Sequence, residues 1–239
     1  MVQSLDNAPG EVMDKAARRM KLRNIPDYSK VSGGRAIELA AMKSKKPEMF
    51  QFTIPLIRNR DCNFSFSGLK DALVRIVLKK EEEHGIMGSG IIPEVYDLCA
   101  AFQLTMAEHI YHRTERAVLF CEKTNLLSSQ YKNIVVSGGV ACNDFMFNSL
   151  KLLGDKLGYN VYRPPLKVCT DNGIMIAWNG IEKLRQQEDT NITTSIQLQD
   201  IEPTAPLGTN IIDKVIAANL PTKVTRLLKL FNGNKLLEK

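Results

Sequence analysis

Apolar residues recur at helical spacing over much of the chain. Val95, Leu98, Phe102, Met106 and Ile110 follow one another at steps of three and four residues, which places their side chains on one face of a helix. The pattern predicts a long amphipathic helix that continues in broken form to about residue 127. Shorter elements are predicted before it: helices at 10–22 and 36–43, a strand carrying Phe64 and Phe66, and a helix with Leu69, Leu73, Ile76 and Val77 on its apolar face.

The region 133–188 alternates between the two kinds of element. NIVVSGG reads as a strand ending in a glycine turn, NDFMFNSLKLLGDKLG as a helix, YNVYRPP as a second strand and DNGIMIAWNGIEKLRQQ as a second helix. Such short connections require parallel strands joined by a right-handed crossover. The sequence therefore predicts an α/β fold, with a helical segment at 1–60, an α/β lobe at 61–188 and an irregular tail at 189–239, which has short helices around Lys214 and Lys223.

Composition and charge narrow the class of protein. The 239 residues are 44% hydrophobic, but no apolar run reaches the ~20 residues of a membrane span, so we expect none. The five cysteines are odd in number and form no CxxC pair, which argues against a disulfide framework or a thiolate zinc site. The net charge is +6, with basic clusters at 15–23 and 42–46. These clusters suit either a phosphate backbone or, as the favoured alternative, solvated helix faces with pairs such as Glu11 with Lys15.

Two loops that follow the predicted strands carry the candidate chemistry. Ligands of parallel sheets bind at the carboxyl ends of the strands, so the loops at 137–143 and 169–172 should face one crevice. The glycines of the first loop allow a ligand close to the backbone, and Asn143 either caps the next helix or reaches a ligand. In the second loop, Asp171 is either a helix cap or a carboxylate ligand of a metal.

Other reactive side chains give weaker signals. His109 and His112 stand three residues apart on the long helix, where an HxxH pair without a supporting acid more often packs or is solvated than binds metal. Cys142 and Cys169 are more consistent with buried packing than with a nucleophile. No Ser-His-Asp or Cys-His arrangement is recognisable, and a protease interpretation has little support.

Four stretches of the chain resemble, in order and at similar separations, the motifs of the tRNA N6-adenosine threonylcarbamoyltransferases. They are APGEVMDKAAR (8–18), NFSFSGLK (63–70), VVSGGVACN (135–143) and CTDNGIMIAWNG (169–180). The resemblance is strongest to the mitochondrial branch of this family. It implies the two-lobed actin and Hsp70-like (ASKHA) fold, of which this chain would form mainly the second lobe with helical insertions. It also implies a reaction that moves threonylcarbamoyl from threonylcarbamoyl-AMP to N6 of adenosine 37 in tRNAs that read codons starting with A.

The same resemblance assigns roles to particular residues. Asp14, Gly34 and Asn143 would contact the adenylate, and Asp171 would be a direct ligand of one divalent metal, zinc or iron. Further candidates for substrate binding stand in or beside the matched stretches: Glu11, Gly138, Gly139 and Thr170. The resemblance also implies a mitochondrial location, a homodimer, and tRNA and threonylcarbamoyl-AMP as binding partners.

The sequence departs from the family pattern at one point, and this lowers the activity that we expect. Family members carry an HxxxH metal motif and a phosphate loop before GExxDK, and the present sequence has no such segment there. We therefore expect a shortened form, with the other metal ligands absent and little activity alone. Two alternatives remain: an ATP-binding lobe of sugar-kinase or chaperone type, and a non-catalytic module that binds tRNA or a protein partner.

Overall fold

The computed structural model describes residues 3–126, 130–186, 208–222 and 224–228. Its α-helices are α1 (Pro9–Arg19), α2 (Gly33–Ala41), α3 (Ser67–Glu83), α4 (Val95–Lys123), α5 (Asp144–Leu157), α6 (Leu166–Cys169), α7 (Gly173–Gln186) and α8 (Ile212–Ala217). Short 3₁₀ helices lie at Leu22–Asn24, Pro26–Tyr28, Pro47–Met49 and Gly139–Cys142. The strands are β1 (Asn133–Val135) and β2 (Asn160–Tyr162).

The long helix α4 forms the centre of the core. It runs unbroken from Val95 to Lys123, where the sequence predicted a break, and α2 packs along it. Leu98, Phe102 and Met106 on α4 are fully buried together with residues of α1, α2, α3 and α5. One continuous core therefore joins helices on both sides of residue 60, and the proposed domain boundary there remains a prediction.

The two strands form a small parallel sheet, as the alternation of elements predicted. Asn133 lies opposite Asn160, and Val135 lies opposite Tyr162, with α5 between the strands in the chain. Across the described residues the fold is mostly helical and this sheet has two strands. The α/β prediction is thus confirmed only in this reduced form, and the assignment to the second lobe of a two-lobed fold stays a prediction.

The predicted strand at Phe64 and Phe66 was wrong. Phe64 makes a single bridge with Ser4, and Phe66 already precedes α3. The reason is Asp6, whose carboxylate accepts hydrogen bonds from the backbone N–H of Phe66 at 2.9 Å and from the Ser65 hydroxyl at 2.6 Å. A distant side chain thereby satisfies the free N–H groups at the start of α3, and nothing local in the sequence reveals this cap.

Local chemistry explains several helix ends. α1 begins with a proline in its first turn and ends in two arginines, an arrangement that suits the helix dipole. α2 begins three residues before its predicted start, because the Ser32 hydroxyl accepts the Arg35 N–H at 3.3 Å and so provides the N-cap. α5 closes at Gly158, whose φ is 73°.

Part of the C-terminal tail packs back on α4. The helix predicted around Lys214 is confirmed as α8, and Arg226 pairs with the buried carboxylate of Glu108 at 3.0 Å. The helix predicted around Lys223 falls on a residue outside the described ones. No helix in the described ranges combines the length and the apolar character that a bilayer crossing demands.

Candidate functional site

A cleft of about 280 Å³ lies between the N-terminal helices and the loops that follow the two strands. Five of the residues proposed from the sequence line it: Asp14, Gly34, Gly139, Asn143 and Thr170. The remaining lining residues are Gly10, Met13, Ser32, Arg35, Glu38, Val140 and Cys142. The loops at 137–143 and 169–172 both contribute to this cavity, as the crevice argument expected, and the fold adds residues of α1 and α2 from more than 100 positions away.

The first wall of the cleft depends on a close approach of α1 and α2. A Cβ atom added at Gly33 would lie 2.5 Å from an Asp14 carboxylate oxygen and 2.7 Å from the Asp14 Cα. Only glycine fits this contact without displacing backbone. At Gly34 the same added atom would meet Met13 at 3.7 Å, an ordinary van der Waals distance. Gly33 thus fixes the helix pair, while Gly34 lines the cleft with room to spare.

The second wall is built by two loops that hold each other. Gly138 has a φ of 107°, and its N–H donates to the Cys169 carbonyl at 2.8 Å. The Arg163 guanidinium donates to the Ala141 carbonyl at 3.0 Å and pairs with Asp144 at 2.9 Å. These contacts place the glycine turn after β1 against the segment that leads to Thr170.

Asn143 is held by hydrogen bonds within the protein. Its side-chain oxygen accepts the Met146 N–H at 3.0 Å, which caps α5, and its NH₂ group donates to Gln103 at 2.9 Å. Of the two roles that the sequence left open, the structure shows the cap. The side chain is buried, so Asn143 contributes a fixed wall of the cleft.

Glu38 is a residue of the cleft that the sequence did not single out. Its side chain is only 3% exposed, and it accepts the Asp144 N–H at 2.6 Å while pairing with Arg35 at 2.5 Å. A buried carboxylate must be paired or hydrogen bonded, and Glu38 meets this need by joining α2 to the start of α5. An acid inside the apolar stretch AIELAA was the available signal, although the sequence did not name its partners.

Asp171 lies beside the cleft and not in its lining. Asn172, not Asp171, caps α7, because the Asn172 side-chain oxygen accepts the Met175 N–H at 3.1 Å. Asp171 is exposed and follows Thr170 directly. Among the described residues, no group of three or more His, Cys, Asp or Glu side chains is placed to hold a metal. One carboxylate alone does not form a zinc or iron site, so these residues do not make one by themselves.

Two further candidates lie outside the cleft lining. Glu11 pairs with Lys15 at 2.6 Å, as the i,i+4 spacing predicted, and Gly138 donates its N–H to the Cys169 carbonyl.

Among the cleft residues, burial and the neighbouring Cys169 raise the pKa of the Cys142 thiol. A raised pKa disfavours the thiolate, which agrees with the packing role expected for Cys142.

The two histidines of α4 are packed inside the protein. Burial lowers the pKa of His109 to about 3 and that of His112 to about 4. His109 accepts the Ser65 N–H at 3.2 Å and contacts the rings of Phe64 and Phe66 edge-on. Neutral imidazoles in these positions support the fold.

Comparison with known proteins identifies relatives of the chain. The family model for tRNA N6-adenosine threonylcarbamoyltransferase matches residues 1–178. The mitochondrial enzyme of that name from Danio rerio is 44% identical over 225 residues, covering 94% of this chain and 54% of the relative. The Homo sapiens protein is 43% identical over 220 residues (91% and 52%), and the Mus musculus protein 42% over 229 residues (94% and 53%). The chain spans about half the length of these curated relatives.

Proposed function

Because the chain belongs to the tRNA N6-adenosine threonylcarbamoyltransferase family, we propose that it serves the transfer of threonylcarbamoyl from threonylcarbamoyl-AMP to N6 of a tRNA adenosine. We propose adenosine 37 of tRNAs that read codons starting with A as the target, which is what the sequence resemblance to the family implies. The proposal rests on one observation above all: Asp14, Gly34, Gly139, Asn143 and Thr170 line a single cleft.

The dimensions and the lining of the cleft suit part of an adenylate. Its volume of about 280 Å³ is close to the lower end of small-molecule sites, about 300 Å³. Asp14 is exposed at its rim and offers carboxylate oxygens to ribose hydroxyls. The glycines at positions 34 and 139 admit a ligand close to the backbone. We propose that these residues hold the nucleotide portion of threonylcarbamoyl-AMP.

The proposed reaction depends on the alignment of the adenosine amine with the adenylate and does not require a protein nucleophile. The adenosine amine attacks the carbamoyl carbon, the bond from that carbon to the phosphate oxygen breaks, AMP leaves, and the amine loses a proton. The mixed anhydride is already activated, so aligned binding and charge stabilisation supply most of the acceleration. This chemistry agrees with a cleft whose thiol has a raised pKa.

We further propose that Asp171 supplies one oxygen ligand to the divalent metal of the family, and that the remaining ligands come from outside the described residues. The position of Asp171, next to Thr170 at the cleft and free of the capping role that Asn172 takes, supports this assignment. Such a metal, zinc or iron, would act as a Lewis acid toward the phosphate when bound.

The relatives also suggest the setting of the protein. The matched proteins from zebrafish, human and mouse are named as mitochondrial, and we propose the same location here. From the same family resemblance, we propose that the chain forms mainly the second lobe of the two-lobed fold and that the protein is a homodimer. The sugar-kinase and chaperone alternative differs from the family that the comparisons identify.

Calorimetry with an adenylate analogue tests the nucleotide site. The probe is threonylcarbamoyl-AMP with its anhydride oxygen replaced by a non-hydrolysable linkage. Asp14→Asn should weaken binding about 10- to 100-fold, the range for a hydrogen bond to a charged group. Gly34→Val should also weaken binding, because it places an isopropyl group in the lining of the cleft. Asp213→Asn, which removes one exposed carboxylate on α8, should leave affinity unchanged.

A chimera tests the transfer itself and separates it from the non-catalytic alternative. The 225 aligned residues of the Danio rerio protein are replaced by those of this chain, and threonylcarbamoyladenosine formation is measured on tRNA. We expect activity that Asp14→Asn reduces. A folded chimera that binds the analogue without forming product would refute the proposed transfer and favour a binding module.

A further inference from the structure

A second cavity lies directly beside the adenylate cleft. It measures about 200 Å³ and shares Asp14 and Ser32 with the first cavity. Two exposed arginines, Arg18 on α1 and Arg23 in the following 3₁₀ helix, contribute to its lining. The two cavities therefore share a rim at Asp14 and Ser32, and Arg18 and Arg23 line the second cavity but not the first.

Arg18 and Arg23 differ from the other cations of the basic cluster at 15–23. Lys15 is paired with Glu11 at 2.6 Å, and Glu81 pairs with Arg19 at 2.5 Å and with Lys21 at 2.7 Å. Within the described ranges, neither Arg18 nor Arg23 has a carboxylate partner. The cluster thus divides into cations that hold helices together and two that remain available for a ligand.

The chemistry of the pair points to phosphate. A guanidinium group offers parallel N–H donors that match two phosphate oxygens, and arginine is favoured wherever such recognition matters. The Glu81 carboxyl has a pKa lowered to about 2 by the hydrogen bond from Arg19 and by Lys21. Those two partners stay engaged with Glu81 at neutral pH, which leaves Arg18 and Arg23 as the free positive charge at this rim.

We infer that Arg18 and Arg23 form a docking shelf for backbone phosphates of the tRNA loop that presents the target adenosine. The inference rests on the proposed function, since the adenosine amine must reach the adenylate in the neighbouring cleft. A single-stranded loop has unstacked bases and exposed phosphates, so one base can enter the shared rim while flanking phosphates contact the arginines. The alternative source of the same chemistry is the phosphate of the adenylate.

The test compares two double variants of the full chain. Arg18→Gln with Arg23→Gln removes the shelf. Arg58→Gln with Arg75→Gln removes the same charge from two exposed arginines that line neither cavity. Binding of an unmodified tRNA transcript is measured by fluorescence anisotropy at several salt concentrations, and binding of AMP by calorimetry. Thermal unfolding of both variants checks that each is folded.

We expect the shelf variant to bind tRNA at least about 10-fold more weakly, with AMP affinity unchanged. Its salt slope, log K against log salt concentration, should fall in magnitude by about 1.4, the value for two phosphates of a single strand. The control variant should stay within about 2-fold of the original chain.

Three results would overturn the inference. An equal loss of tRNA affinity in both variants would mean that the tRNA is attracted by the general positive charge of the protein and not by Arg18 and Arg23. Loss of AMP binding with tRNA binding intact would assign the phosphate to the adenylate. Binding of AMP but not of tRNA by the unsubstituted chain would refute the docking shelf and leave the proposed nucleotide site intact. Conversely, shelf-dependent tRNA binding in a chain that binds no AMP would support the shelf and count against the proposed nucleotide site.

Discussion

The α1–α2 wall of the cleft and helix α7, which follows the loop containing Thr170, differ sharply in burial. In the α1–α2 wall, Met13 and Ile37 are 1% and 0% exposed, whereas Ile174 and Ile176 on α7 are 71% and 68% exposed. Both regions have amphipathic or apolar sequences that form helices. An apolar pattern therefore predicts a helix but does not reveal which part of the protein covers its apolar face. Within the described residues, the first wall is stabilised by the core, and α7 depends far more on its own hydrogen bonds and cap.

Truncating one isoleucine in each region should give the largest difference in the free energy of unfolding. Ile37→Ala leaves a cavity in the core, so the free energy of unfolding should fall by about 2–5 kcal/mol. Ile176→Ala removes a methyl-rich side chain that is already in water, and the change should stay within about 0.5 kcal/mol. Urea denaturation of the two variants measures both values. Equal losses would show that α7 is covered in solution and would end the comparison.

The glycine pair at the start of α2 offers a finer test. Gly33→Ala forces a methyl group into the Asp14 backbone contact of 2.7 Å, and such overpacking should cost about 1–3 kcal/mol. Gly34→Ala meets Met13 only at 3.7 Å and should change stability by less than about 1 kcal/mol. The same denaturation experiment applies, and a neutral Gly33→Ala would mean that α1 and α2 are less closely packed.

Two asparagine caps compare a buried site with an exposed one at a smaller scale. Asn143→Ala loses the cap of α5 and leaves buried Gln103 without its amide donor, a loss of about 1–2 kcal/mol. Asn172→Ala loses only the cap of α7 at an exposed site, a loss of about 0.5–1 kcal/mol. Thermal unfolding of both variants checks the order. A larger effect at Asn172 would contradict the view that α7 contributes little to global stability.

The smallest effect concerns pH. Hydrogen bonding by Arg19 and the nearby Lys21 lowers the pKa of Glu81 to about 2 in the folded protein, against about 4.5 as its ordinary value. This contribution is present above pH 4.5 and is lost as pH falls toward 2, because the unfolded chain then binds the proton more readily. Glu81→Gln should flatten this part of the stability profile by at most about 1 kcal/mol. An unchanged acid profile would show that the ion pair is not formed in solution.

Much of the local structure could be predicted from the sequence. The i,i+4 periodicity identified α4, and the strand–helix–strand pattern identified the parallel pairing of β1 and β2. What could not be predicted were contacts between distant residues. The Asp6 cap that replaces the strand at Phe64, and the reach of Glu38 to the start of α5, depend on side chains about 60 and 106 positions away.

In the candidate site, too, the local motifs could be identified from the sequence, and the ion pairs between distant residues could not. The motif residues Asp14, Gly34 and Asn143 were predicted to meet, and they line one cleft. The division of the basic cluster at 15–23 into paired and unpaired cations could not be foreseen, because Glu81 lies about 60 residues from Arg19. Sequence motifs therefore indicated which residues would line the cleft, and tertiary ion pairs indicated which neighbouring charges have a carboxylate partner.

We propose above all that the cleft between the two walls binds an adenylate. Amide NMR of the full chain, titrated with the non-hydrolysable analogue of threonylcarbamoyl-AMP, tests it most directly. We expect saturable shifts at the cleft residues Asp14, Gly34, Gly139, Asn143 and Thr170, with Val215 of α8 unaffected. Absence of shifts at the cleft at millimolar analogue, or shifts confined to another surface, would contradict it.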